Sequence, residues 1–347
     1  MSWDAPQTPA SMLAPSGPPV LRPLSIGELF DRGFTLYFRH ILTFAAVLFV
    51  ATVPLVIIAY FQLLLQRDVL DAYAGLLDSA IRHPGTPPDL TKVQAAVAGF
   101  NPASMLAVYA LSGLNYLVAL IVLPLANAAV VSGVSRAYLG LPVRFKLCYA
   151  DAIKRWGYVM LLSLLWVFVL IGLGMAFFVV FLLLTFIIVA LAAGLHVVGA
   201  IIGALIGIAF VIASVGLAVM GYMAFASSFI ACVLEKVDPV RAFTVGVTRI
   251  FGRELFWRSM AVALFIALVF VGFSLVASFL ALLALYLTKS WFLYLAIAQI
   301  INVFYVGFAF VLVSLYYYDI RIRREGFDIQ LLAEQLSATA PPTPPAP

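Results

Sequence analysis

Long apolar runs separated by short charged stretches set the pattern of this chain. The first run spans Ile41 to Leu65, with Pro54 placed to kink it. At 1.5 Å rise per residue, a helix of that length crosses a hydrocarbon core of ~30 Å. A second run, Ser104 to Tyr138, contains Pro124. Gly157 to Leu234 follows without a formal charge, its only ionisable group being His196. That stretch is too long for one crossing. Two further runs, Ser259 to Leu287 and Trp291 to Tyr318, are parted by Thr288 to Ser290.

The polar stretches repeat a second pattern. Ile26, Leu29, Phe30, Gly33, Phe34 and Tyr37 lie on one helical face. Phe145, Cys148, Tyr149, Ala152, Ile153 and Trp156 have the same spacing, as do Val240, Phe243, Thr244, Val247, Thr248 and Phe251. Each segment precedes a pair of apolar stretches. The predicted fold is all-α and membrane-embedded, with six transmembrane helices arranged as three units. Each unit is an interfacial amphipathic helix followed by a helical hairpin. Ser25 and Glu28 form a capping box for the first segment, and Asp238-Pro239 starts the third. Val69 to Ile81 has helical spacing, and the following Pro84 to Pro88 reads as a turn.

Composition agrees with the membrane assignment. Of the 347 residues, 65% are hydrophobic and 10% charged, far below the ~25% charged residues of soluble domains. Residues 1–22 and 338–347 are Pro-rich and read as a disordered arm and tail, leaving 23–337 as the membrane domain. The net charge of +5 is explained by topology rather than nucleic acid. With residues 1–40, 136–155, 235–258 and 319–347 in the cytoplasm, sixteen of the twenty basic residues face inward. Both termini are then cytoplasmic, in a bacterial inner membrane. An even number of crossings is required between 157 and 234, with the turn near Ala192 to Gly199. Cys148 and Cys232 fall near the reducing side.

Candidate chemistry is sparse. His40, His83 and His196 lack partners at metal-ligand spacing, and no nucleotide-binding or hydrolase motif is present. The fifteen acids all fall outside the predicted spans, which disfavours a proton path. No catalytic residue, metal or cofactor is expected. Gln62, Asn115, Asn127, Gln299 and Asn302 are the intramembrane amides, with Gln299 and Asn302 three apart on a shared face. Helix–helix hydrogen bonding is the expected role of that pair, and a polar ligand is the alternative. Gly199, Gly203 and Gly207 form a small-residue stripe, expected to serve packing within the bundle, with dimerisation as the alternative. Asp319, Arg321, Arg323, Arg324, Glu325 and Asp328 follow the last run, then a short amphipathic turn at Ile329, Leu332, Ala333 and Leu336. Those arginines are placed either to bind anionic lipid heads or to anchor the topology.

Three stretches carry a resemblance: RPLSIGELFDRGFTLYFRH (Arg22 to His40), LEKVDPVRAFTVGVTRIFGRELFWR (Leu234 to Arg258) and YYYDIRIRREGFDIQLLAE (Tyr316 to Glu334). Together they resemble the bacterial glycerophosphoryl diester phosphodiesterase membrane domain. The resemblance implies a multi-pass domain, fused in some relatives to a soluble phosphodiesterase. That soluble enzyme would need a further domain, and this chain ends at Pro347, so the activity is not expected of it. Glu28, Asp31, Arg32, Arg321, Arg324, Glu325 and Asp328 match charged positions of the family and carry no known role. The leading expectation is a non-enzymatic membrane protein that organises lipid or a protein partner. A transporter or lipid-translocating facilitator is the alternative, and a membrane phosphodiesterase ranks third.

Overall fold

The structure is a computed structural model that describes residues 22–83, 90–99 and 101–326. The N-terminal arm, the Pro84 to Pro88 turn, Asp328 and the C-terminal amphipathic turn and tail lie outside those residues. The regular structure among them is helical: α1 (Ile26–Arg39), α2 (Ile41–Leu65), α3 (Arg67–Arg82), α4 (Thr91–Ala98), α5 (Pro102–Tyr138), α6 (Phe145–Ile153), α7 (Trp156–Leu234), α8 (Pro239–Phe251), α9 (Phe256–Thr288) and α10 (Trp291–Glu325). Five of these, α2, α5, α7, α9 and α10, are long and apolar enough to cross a membrane. The short helix α4 was not anticipated from the sequence pattern.

Helix α7 is two limbs. Straight, its 79 residues would extend roughly 120 Å. Instead the backbone leaves helical geometry at His196 (φ 48, ψ −120) and turns back. Pairs on either side of His196 meet: Phe177 stacks on Phe210 with centroids 4.8 Å apart, and Trp166 meets Phe225 at 5.6 Å. Gly199 sits directly on the carbonyl of Leu191, and a Cβ at Gly203 would fall 2.8 Å from Ile188. Those two glycines therefore pack the limbs together, while Gly207 faces open space.

The packed core lies toward one end of the bundle. Ala126 to Val134 of α5, Met223 to Val233 of α7 and Gly307 to Ile320 of α10 are largely or wholly buried there. The short helices α1, α6 and α8 pack around them. Further along, side chains such as Phe178, Phe186, Leu205, Leu268 and Leu275 stand exposed, a bare hydrocarbon band. At about 52 Å, α10 exceeds a ~30 Å hydrocarbon core by several turns. At the opposite end, α3 is tied to the α9–α10 turn. The Trp291 indole donates to Asp71 at 2.8 Å, and Lys289 pairs with Asp78 at 3.6 Å.

The predicted face of one short helix is found packed, and the expectations for the other two need correction. Helix α1 runs antiparallel along α10: Leu24 meets Asp319, Gly33 lies under Leu312, and the Tyr37 hydroxyl donates to the Phe304 carbonyl at 2.7 Å. Its apolar face therefore packs on protein. Helix α6 ends at Ile153, so Trp156 belongs to the next helix. Helix α8 is turned so that only Phe243 and Val247 of its predicted face pack, partly buried, against the core. Pro239, Ala242, Gly246, Arg249 and Ile250 face inward, whereas Val240, Thr244, Thr248 and Phe251 from the predicted face are exposed. Close helix contact selects small residues, here Gly246 against the Ser228 backbone. Periodicity identifies an apolar face without saying which medium covers it.

Candidate functional site at the charged end

The charged residues after Tyr318 continue α10 to Glu325 rather than following it. A helix carried past the hydrocarbon band gives them fixed positions, and Asp319 becomes a hub. Its side chain is 0% exposed. Asp319 Oδ1 accepts the Leu24 backbone N–H at 2.8 Å. Its Oδ2 accepts from Arg258 Nη2 at 3.0 Å and from Arg323 Nε at 3.0 Å. Both guanidinium groups also donate to the Leu24 carbonyl, at 2.5 and 2.7 Å. One carboxylate and two arginines thus clamp the start of α1 to α9 and α10. Two cations around one buried carboxylate are tolerable because each makes several hydrogen bonds.

A second network centres on Arg249. Its guanidinium pairs with Glu235 Oε1 at 2.6 Å and also contacts Glu325 and the Tyr317 hydroxyl. Tyr317 in turn donates to Glu235, and Arg321 lies 3.0 Å from Glu325. Burial pushes the Glu235 carboxyl up, but hydrogen bonds from Arg249 and Tyr317 and the Arg249 and Arg321 charges outweigh it, leaving it below the usual glutamate range. A third cluster joins α5 to α6: Arg136 Nη2 to Asp151 at 2.9 Å, with the Ser132 hydroxyl donating at 3.1 Å. For Asp151 too, burial raises the carboxyl and the Arg136 and Ser132 hydrogen bonds bring it below its ordinary value.

The sequence-predicted residues divide among these features. Glu28 caps α1, accepting the Ser25 N–H at 2.9 Å, and pairs with Arg22 at 2.5 Å. Its carboxyl is lowered first by the Ser25 backbone hydrogen bond, with Arg22 assisting. Arg32 reaches Tyr138, while Asp31 is exposed. Arg321, Arg323 and Glu325 belong to the networks, and Arg324 lies over Gly252, 3.9 Å from Glu254. Glu235, Arg249 and Arg258 were not singled out from the sequence. Nothing in their spacing marks them, because each acts across elements far apart in the chain. Gln299 and Asn302 are not brought to one site: Gln299 opens on a groove toward α2, Asn302 on a crevice toward α9.

A different set of cations has no acidic partner among the described residues. Arg144, Lys146, Lys236, Arg241 and Arg253 are all exposed. Exposed Phe145, Val240, Phe251 and Trp257 stand among them, Trp257 at 79%. Arg253 sits in the link between Phe251 and Phe256, which both line an apolar groove of about 570 Å³ between α7 and α9. Among the described residues, no three His, Cys, Asp or Glu side chains gather to hold a metal ion. Compared with known protein families, curated proteins and solved structures, the chain matches none.

Proposed function

We propose that this is a bacterial inner-membrane protein of six crossings with both termini cytoplasmic, and that its charged end organises anionic lipid without catalysis. The observation that carries the reading is the set of five exposed cations interleaved with exposed apolar side chains. Such a surface suits the headgroup boundary, where apolar groups enter the acyl region and each cation near anionic lipid contributes about 1 kcal/mol. The buried arginines are already neutralised by Asp319, Glu235 and Glu325 and hold the platform rigid. The groove beside Arg253 suits an acyl chain whose phosphate meets that guanidinium.

The reversal at His196 supports counting α7 as two crossings. With α3 and α4 set aside as an insertion between α2 and α5, the element order runs as a short helix and two long limbs three times, which supports the three-unit arrangement. The likeness to the glycerophosphoryl diester phosphodiesterase membrane domain belongs to the same proposal and rests on the three quoted stretches. A protein partner with an acidic surface would use the same cations.

Native mass spectrometry of the protein extracted in lipid discs tests the reading. Phosphatidylglycerol-type lipid is expected to be retained above its bulk fraction. Replacing Arg144, Lys146, Lys236, Arg241 and Arg253 by Gln should bring it to the bulk value. Bulk composition around the unaltered protein would refute lipid organisation.

A further inference from the structure

The crevice between α9 and α10 has a partly polar lining. Ser274 and Ser278 lie one turn apart on α9, and Tyr294, Asn302 and Tyr305 face them from α10, around a cavity of about 190 Å³. Three other grooves among the described residues are walled almost wholly by hydrocarbon. Serines in apolar helices can return the hydroxyl to the carbonyl four residues back. Ser163, Ser214, Ser228 and Ser314 do so here. Ser274 and Ser278 do not, and none of the five polar side chains is engaged in a side-chain hydrogen bond with another described residue.

The contrast with the other amides is informative. Gln62 donates to the Ser112 hydroxyl at 2.9 Å, and Asn115 to the Leu55 carbonyl at 3.1 Å. Asn302 instead opens on the crevice and toward the outside of the bundle, as does Ser278. A primary amide bare against hydrocarbon is strongly unfavourable, and polar groups at membrane depth are expected to find partners. Ser278 lies ten residues before Thr288, and Asn302 eleven after Trp291, roughly 15 Å from that end of each helix. The crevice therefore reaches from one interface to about the middle of the bilayer. No charged side chain lines it. The occupant these features fit is uncharged, enters sideways from lipid, and carries hydroxyl or carbonyl groups beside a hydrocarbon chain.

We propose that this crevice is a binding site for a neutral lipid with a hydroxyl- or ester-bearing head, of the diacylglycerol kind. The serine and tyrosine hydroxyls and the Asn302 amide donate to its oxygens, and Phe270 and Phe273 flank its chain. The site depends on the membrane-spanning reading of α9 and α10, and is independent of anionic lipid at the other end.

The test uses the full chain in discs of phosphatidylcholine-type lipid containing dioleoylglycerol at a few per cent, read by native mass spectrometry. At least one dioleoylglycerol is expected to stay bound at activation energies that strip the bulk lipid. Asn302→Leu with Ser278→Ala should reduce its retention at least tenfold. Gln299→Leu, in the apolar groove on the other flank of α10, should not change it. Equal retention by the double variant, or no retention by the unaltered protein, would overturn the site. So would a dimer cross-linked through Ser278→Cys, since a second copy would then fill the crevice. Failure of the chain to reconstitute into discs at all would overturn the membrane-spanning reading with it, whereas loss of phosphatidylglycerol enrichment leaves this site standing.

Discussion

The backbone N–H of Leu24 donates to Asp319 Oδ1 at 2.8 Å, joining the two ends of the chain across 295 positions. Arg258 and Arg323 complete the clamp by binding both the carboxylate and the Leu24 carbonyl. The entry to α1 is thereby held by α10, the last of the described helices.

Breaking this clamp should be costly. Asp319→Ala leaves two guanidinium groups facing a buried site without their carboxylate, which destabilises by about 3–5 kcal/mol. Asp319→Asn keeps an acceptor for Leu24 and should lose less. Thermal unfolding of the purified protein in detergent checks the order; equal midpoints for all three proteins would show the clamp to be energetically idle.

Gly246 defines the approach of α8 to α7. A Cβ there would run into the Ser228 hydroxyl and come within 2.6 Å of its backbone nitrogen. Gly246→Ala should therefore destabilise by about 1–3 kcal/mol through overpacking. Gly27, in α1, has nothing within 4 Å of its Cβ position, and Gly27→Ala should be neutral or stabilise by up to about 1 kcal/mol. The two melting curves should move in opposite directions or differ plainly in size.

Acid should loosen the charged end. Glu235 and Asp151 have folded values held below their ordinary 4.5 and 3.8. A lowered carboxyl contributes stability that is fully present above the unfolded value and lost as pH falls through the folded one. The thermal midpoint is expected to stay level for these groups from pH 7 to 5, then fall below the usual carboxylate range. Glu235→Gln should start lower at pH 7 and fall less on acidification. A parallel decline in both proteins would assign the acid response to other groups.

The proposed six crossings would place Lys92 and His196 on one side and Lys146 on the other. Cysteines introduced at Lys92 and His196 should react with an impermeant thiol reagent in intact cells. A cysteine at Lys146 should react only after permeabilisation. Cys148 and Cys232 are buried and should add little background. Labelling of Lys146→Cys in intact cells would reverse the orientation, and protection of His196→Cys would remove one hairpin.

Much of the helix plan was legible because apolar length is a strong local signal. Ile41 to Leu65 coincides with α2, and the turn expected near Ala192 to Gly199 holds His196. The Ser25–Glu28 capping box was readable because all its atoms lie within four residues. The site was less legible. Asp319, Arg321, Arg323 and Glu325 stand out as a charged group, but their partners Leu24, Glu235, Arg249 and Arg258 come from other elements. Gln299 and Asn302 line different grooves because a three-residue step turns part of the way around a helix.

The sequence by itself determined the class of protein: long apolar helices, interrupted by short basic segments, two of them with capped starts. Those features follow from hydrocarbon thickness and local hydrogen bonding, which act within one segment. Only the tertiary structure decided which way each short helix faces, where the core lies and which charges are paired. Helical periodicity marks a face but not its neighbour, so α1 turns its apolar stripe toward α10 while α8 turns much of its own outward. The same limit hid the polar crevice, since Ser274, Ser278, Asn302 and Tyr305 become one lining only when α9 and α10 pack side by side.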